Sequence, residues 1–131
     1  LFSGTGSISI EFLSRGSQNV TSVDENFNCI KFIRDTTEKL GLDKNARTIK
    51  YDALKYLSNI KDSWDVIFAD PPFAFTLHPE IPRLVFENNL LKKDGWLILE
   101  HQSGQDFSAL PGFYESRKYG NVGFSIFKNQ E

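Results

Sequence analysis

The residues best suited to chemistry are Asp70-Pro71-Pro72-Phe73, which follow the apolar run Trp64-Asp65-Val66-Ile67-Phe68-Ala69. A β-branched and aromatic run ending in an acid and two prolines is expected to be a buried strand that stops abruptly. Each proline fixes its own φ and lacks an N–H. The backbone therefore leaves the sheet in a rigid turn that presents a carboxylate, an outward carbonyl and a ring. The carboxylate and carbonyl can accept the two hydrogens of an exocyclic amine, while the Phe73 ring stacks on the base for about 1–3 kcal/mol. Such a set is suited to placing a group on the amine of a flat base.

A second set lies at the start, where Leu1-Phe2 leads into Ser3-Gly4-Thr5-Gly6-Ser7 and a helical segment over residues 8–15, closed by Gly16. A strand passing through a glycine turn into a helix N-terminus lets the backbone approach a nucleoside closely. The third small position of the dinucleotide fingerprint falls on Ser9, which disfavours a pyrophosphate-binding dehydrogenase. The next strand, residues 19–23, delivers Asp24 at its end, 18 positions beyond Gly6. That is close to the roughly 20-residue offset at which an acid meets a ribose. Asp24 is expected to chelate the two ribose hydroxyls, with helix capping as its competing role, and Glu25 to be a charge at a helix N-terminus.

The elements that must position these groups alternate. Phe27, Ile30, Ile33, Thr37 and Leu40 recur at helical spacing before Gly41, and Arg47-Thr48-Ile49-Lys50-Tyr51 reads as a strand. Asp52-Ala53 then opens a short helix through Leu54, Tyr56 and Leu57. Beyond the proline turn, residues 73–79 read as a loop over the site, in which Phe75 is a weaker stacking candidate and His78 a surface loop residue that could act as a base or contact RNA. Pro82 fits a first helical position, with Ile81, Leu84, Val85 and Leu91 as the apolar stripe. A turn at Lys93-Asp94-Gly95 precedes the strand Trp96-Leu97-Ile98-Leu99-Glu100. The terminal stretch around Gly120-Asn121 has the alternation and turn chemistry of a β-hairpin.

In order and spacing, Leu-Phe-Ser-Gly-Thr-Gly, Asp24, Asp52-Ala53 and Asp70-Pro71-Pro72-Phe73 resemble class I S-adenosylmethionine-dependent methyltransferases. More narrowly, LFSGTGSISIEFLSRG, FADPPF and RKYGNVGFSIF resemble the RsmD family of 16S rRNA guanine-N2 methyltransferases. The resemblance implies an α/β fold: a Rossmann-like, doubly wound, mostly parallel sheet closed by an antiparallel hairpin. It implies S-adenosyl-L-methionine held by Phe2, Ser3, Gly4, Thr5, Gly6, Asp24, Asp52, Ala53 and Asp70, with Asp52 accepting from the adenine amine or capping its helix. Asp70, Pro71, Pro72 and Phe73 become the catalytic set, acting on rRNA of the small ribosomal subunit in the cytoplasm, as a monomer. Adenine-N6 or DNA-directed amino methylation and a catalytically silent nucleoside-binding module are the alternatives.

The family's first motif carries an aspartate before Leu-Phe, and an upstream segment rich in basic and polar residues contributes to RNA and cofactor binding. The expectation is a single domain over residues 1–131 that is a piece of a longer protein, its first strand largely missing, or completed by another copy. Length suffices for one core, since a chain this size buries roughly two thirds of its unfolded surface. Twelve phenylalanines and 40% hydrophobic residues exclude disorder. No run approaches the roughly 20 apolar residues of a membrane helix. The net charge of −2 is unexpected for an RNA grip, so the upstream segment is the expected main contact. Arg83, Lys92, Lys93, Arg117 and Lys118 are the basic candidates here. Cys29, His78 and His101 stand too far apart to bind a metal, and the lone thiol fits a reducing compartment.

Overall fold

The structure, a computed structural model, describes residues 1–72 and 74–130. They fall into two compact units, Leu1–Ala53 and Leu54–Glu131.

The first unit contains α1 (Ser7–Ser14), β1 (Val20–Asp24), α2 (Phe27–Lys39), a 3₁₀ turn (Asp43–Asn45) and β2 (Ala46–Lys50). β1 and β2 pair in parallel from Val20 opposite Ala46 to Asp24 opposite Lys50, with α2 as the crossover. Asn26 caps α2, its side-chain oxygen accepting from the Asn28 and Cys29 amides at 2.8 and 3.2 Å. Ile30, Ile33 and Thr37 are buried as the spacing predicts, each isoleucine contributing about 1.5–3 kcal/mol. Phe27 and Leu40, assigned to the same stripe, are instead 56% exposed. A 13-residue helix is about 20 Å long and five-residue strands about 17 Å, so the stripe overhangs at both ends.

The second unit contains α3 (Ala53–Asn59, from Leu54 onward), β3 (Trp64–Ala69), α4 (Glu80–Glu87), β4 (Leu91–Gln102), β5 (Phe113–Tyr119) and β6 (Val122–Lys128). Its sheet has the order β3-β4-β6-β5, parallel between β3 and β4 and antiparallel elsewhere. The α/β architecture and the terminal hairpin are those expected from the sequence. Leu57, Ile67, Ala69, Ile81, Val85, Leu97, Leu99 and Phe127 form the core.

Three local readings are corrected. Pro82 is the third helical residue rather than the first, since α4 starts at Glu80 after Pro79. It is tolerated there because first-turn amides have no partner within the helix. Leu91 belongs to β4 and not to the α4 stripe. The turn expected at Lys93-Asp94-Gly95 lies inside β4 as an irregularity: Trp64 pairs with Leu91, but Val66 pairs with Trp96. Asp94 takes φ +64° there and donates its amide to the Asn129 carbonyl at 2.7 Å.

Candidate active site

In the first unit, three segments meet at the C-terminal edge of the parallel pair. The Ser3 amide donates to the Val23 carbonyl at 3.0 Å, so the incoming chain lies along β1. The chain then turns through Gly4 and Gly6, at φ +53° and +84°. Gly6 is required twice over: its φ is left-handed, and an added Cβ would sit 2.5 Å from the Ile33 side chain. Phe2 also takes a positive φ, +55°, a strain on the order of 1–2 kcal/mol at the mouth of the turn.

Asp24 ties this turn down. One carboxylate oxygen accepts from the Gly4 amide at 2.9 Å and the other from the Asn26 amide at 2.8 Å. Asn26 supplies the side-chain cap of α2, while the Asp24 carboxylate holds the Asn26 amide just ahead of it. Ser9, at the third fingerprint position, is buried and its hydroxyl lies 2.6 Å from that of Ser22, joining α1 to β1. The ladder continues past β2, with the Tyr51 amide on the Asp24 carbonyl at 3.0 Å, and so brings Asp52 to the edge where Asp24 emerges.

S-adenosylmethionine, implied by the motifs, fits this chemistry. The Ser3 hydroxyl is buried with no hydrogen-bond partner among the described residues, a deficit that a polar ligand atom would relieve. A Cβ at Gly4 would meet nothing within 4 Å, so the turn is open where a ligand would approach. No side chain caps α1, and its first amides are disposed toward an anionic group. A carboxylate offers about four acceptor sites, and the two backbone bonds to Asp24 leave room for two ribose hydroxyls.

In the second unit, β3 ends at Ala69 and the chain passes through exposed Asp70, buried Pro71 and exposed Pro72. The Phe75 amide donates to the Pro72 carbonyl at 2.9 Å, closing the turn. Phe73 lies outside the described residues. Sequence reasoning missed Glu100. Ala69 stands opposite Leu99 in the parallel ladder, so Asp70 and Glu100 follow side by side. Desolvation raises the Asp70 pKa, partly offset by Glu100; desolvation, then Asp70, raise the Glu100 pKa. The sequence held only half of the signal, an acid closing each of the apolar runs FAD and LILE, and not the register that sets them side by side.

His78 is not a surface residue. It is 6% exposed and packs in an aromatic row, edge-on to Phe75 and stacked on Phe107, whose ring meets His101 edge-on. His101 Nδ1 is 2.7 Å from the Gln102 carbonyl, which can only accept, so Nδ1 carries the hydrogen. Nε2 lies 2.7 Å from the Ser125 hydroxyl, which can either donate to it or accept from it. This row anchors the loop that follows Pro72.

Burial, and then His101, lower the His78 pKa below its ordinary 6.5. The unfolded chain therefore binds a proton that the folded chain resists. The stability held above pH 6.5 is lost as pH falls from there through the folded value. Melting should occur at lower temperature at pH 5.5 than at pH 7, and in His78→Phe that difference should shrink, as followed by circular dichroism.

The basic candidates are largely engaged. Arg83 is bound by Glu80 and by Glu87, the latter at 2.8 Å; Arg117 lies 3.3 Å from Glu115 and Lys92 3.7 Å from Asp65. Lys93 and Lys118 are exposed. Among the described residues, no group of three or more His, Cys, Asp or Glu side chains could hold a metal ion. No helix among them is long and apolar enough to cross a membrane.

An acid at the end of β1 beside a glycine turn, an acid-proline-proline turn after β3 and a closing antiparallel hairpin place this chain in the class I S-adenosylmethionine-dependent methyltransferase fold. Within that class it belongs to the family described as "Conserved hypothetical protein 95", whose profile matches residues 1–128. This is the RsmD family that its motifs resemble. It is 31% identical to Ribosomal RNA small subunit methyltransferase D of Buchnera aphidicola, over 98% of this chain and 67% of that protein. It is 30% identical to YlbH of Bacillus subtilis, provisionally named an rRNA methyltransferase, over 99% of this chain and 74% of that one. Among solved structures, a Haemophilus influenzae protein provisionally named a methylase superposes with a TM-score of 0.88 at 26% identity, over 99% and 84% of the two chains.

Proposed function

We propose that this chain transfers the methyl group of S-adenosylmethionine to the exocyclic N2 amine of a guanine in small-subunit rRNA, in the cytoplasm. The observation that carries the reading is the rigid Asp70-Pro71-Pro72 turn at the C-terminal end of β3, where α/β sheets place their reacting groups. The names of the Buchnera and Bacillus relatives support rRNA as the acceptor.

The first unit supplies the cofactor side of the reaction. The Phe2 to Gly6 turn receives the cofactor along its open backbone, Asp24 accepts from the ribose hydroxyls, and Asp52 with Ala53 borders the adenine. When bound, S-adenosylmethionine supplies an electrophilic methyl on a sulfonium. The second unit supplies the acceptor side. The Asp70 carboxylate and the Pro71 carbonyl take the two amine hydrogens, which aims the nitrogen lone pair at the methyl, and Phe73 stacks on the base. Orientation of this kind supplies about 7–11 kcal/mol in well-placed reactions, and the two consecutive prolines serve it by stiffening the turn that presents the amine's partners. The methylated nitrogen must then lose a proton. Asp70, more basic than an ordinary aspartate, is the acceptor at hand.

The test is methyl transfer from labelled S-adenosylmethionine to small-subunit rRNA, as naked RNA and as assembled particle, followed by nucleoside analysis. N2-methylguanosine is the expected product. N6-methyladenosine or labelled DNA would replace the acceptor, and cofactor binding without any product would indicate a silent module.

A further inference from the structure

We propose that Glu100 is the positioning residue of the acceptor site: its carboxyl donates a hydrogen bond to the Asp70 carboxylate, and the two groups hold one proton between them. The inference rests on the reading of Asp70 as the amine acceptor. It starts from the ladder. Parallel pairing runs through Val66 opposite Trp96, Ile67 opposite Leu97, Phe68 opposite Ile98 and Ala69 opposite Leu99. The next residues on the two strands are Asp70 and Glu100, on the same face because side chains alternate. Two ionised carboxyls so placed would repel, whereas a bond between them requires that one carry a hydrogen.

The surroundings assign that hydrogen. Asp70 is exposed at the strand end, and Glu100 is half-buried inside β4. On the other side of Glu100, the ladder partner on β6 is Phe124, which offers no charge. Beyond it on β5 stands Arg117, already engaged by Glu115. His101 alternates to the opposite face, where it is bonded to Gln102 and Ser125 and packs on Phe107, with His78 beyond. No ion pair is made by Asp70 or Glu100 among the described residues of this unit. Burial, and then the neighbouring Asp70, hold the Glu100 pKa up, so Glu100 keeps the proton.

A protonated Glu100 does two things for Asp70. It occupies one lone pair of the carboxylate and so fixes its rotation, leaving the other oxygen directed at the amine. It also keeps Asp70 ionised as an acceptor, although desolvation works against that. Only the singly protonated pair is competent. A second proton removes the acceptor at low pH, and loss of the shared proton sets two anions against each other at high pH.

The experiment uses the full-length protein and two variants, with carboxyl carbon-13 NMR titration alongside the pH profile of kcat. Coupled titration is expected, with Glu100 ionising above the ordinary glutamate range and its transition moving toward that range in Asp70→Asn. In Glu100→Gln the amide replaces the donated hydrogen at every pH. Its kcat should stay within about fivefold of wild type, and the alkaline limb of the profile should disappear. Glu100→Ala should lose about 10- to 100-fold in kcat, as for a hydrogen bond to a charged group, with affinity for S-adenosylhomocysteine unchanged. An ordinary Glu100 titration insensitive to Asp70→Asn, or an alkaline limb retained in Glu100→Gln, would overturn the proposal. Coupled titration in a wild-type protein that transfers no methyl group would support the carboxyl pair and count against the proposed function instead.

Discussion

Asp70→Ala is expected to lower methyl transfer by at least about 10²-fold while leaving affinity for S-adenosylhomocysteine nearly unchanged. The magnitude follows from removing one preorganised partner of the reacting group, which in comparable sites costs 10²–10³ in kcat. The selectivity follows from where Asp70 sits. It stands at the end of β3 in the second unit, beside Glu100, whereas the groups that fit a nucleoside cluster around Gly4, Asp24 and Asp52 in the first. Truncation should also leave Glu100 without the carboxylate that accepts its hydrogen, so part of the loss is a disordered acceptor turn. Single-turnover assays with labelled cofactor, paired with calorimetry, separate the two quantities. Normal turnover would remove Asp70 from the acceptor site; a parallel loss of affinity would move it to the cofactor side, the second role that the family motifs imply for it.

What the sequence could disclose depended on whether a signal was local. The glycine turn, the acid after β1 and the prolines after β3 are short motifs whose backbone consequences follow from residue type. The structure has Gly4 and Gly6 at positive φ and Asp24 on the Gly4 amide accordingly. The hairpin was equally legible, since Gly120-Asn121 sits between two alternating runs and Gly120 takes φ +63°. The misreadings came from pairing and overhang, which no window of sequence contains. Leu91 continues the apolar rhythm of α4, yet Asn88 and Asn89 end the helix, and the Trp64 amide goes to the Leu90 carbonyl at 2.8 Å, drawing that segment into the sheet. His78 lies in a polar-aromatic stretch without periodicity, and among the rings that pack on it is Phe107, about 30 residues later in the chain. Glu100 became visible only through register, because nothing within β4 says which residue of β3 it faces.

The other large effect belongs to Asp24. Asp24→Ala should weaken binding of S-adenosylhomocysteine by roughly 10- to 100-fold, or about 1.4–2.8 kcal/mol, the range for lost bonds to a charged group. The substitution removes two kinds of interaction at once. One is with the ribose hydroxyls, for which the carboxylate keeps acceptor sites after its backbone bonds are counted. The other is internal: the Gly4 and Asn26 amides lose their partner at 2.9 and 2.8 Å, and the turn that must approach the ligand loses its tether to β1. Asp24→Asn discriminates between them. Its side-chain oxygen can still accept from one amide, so the turn stays largely tethered, but its NH₂ presents donors where the ribose needs acceptors. Ribose recognition by Asp24 therefore requires Asn to bind almost as poorly as Ala, whereas a purely structural aspartate lets Asn recover most of the affinity. Because Asn26 already caps α2 through its own side chain, α2 should remain formed in both variants. An unchanged helical circular dichroism signal then assigns the loss in calorimetry to the site rather than to the fold.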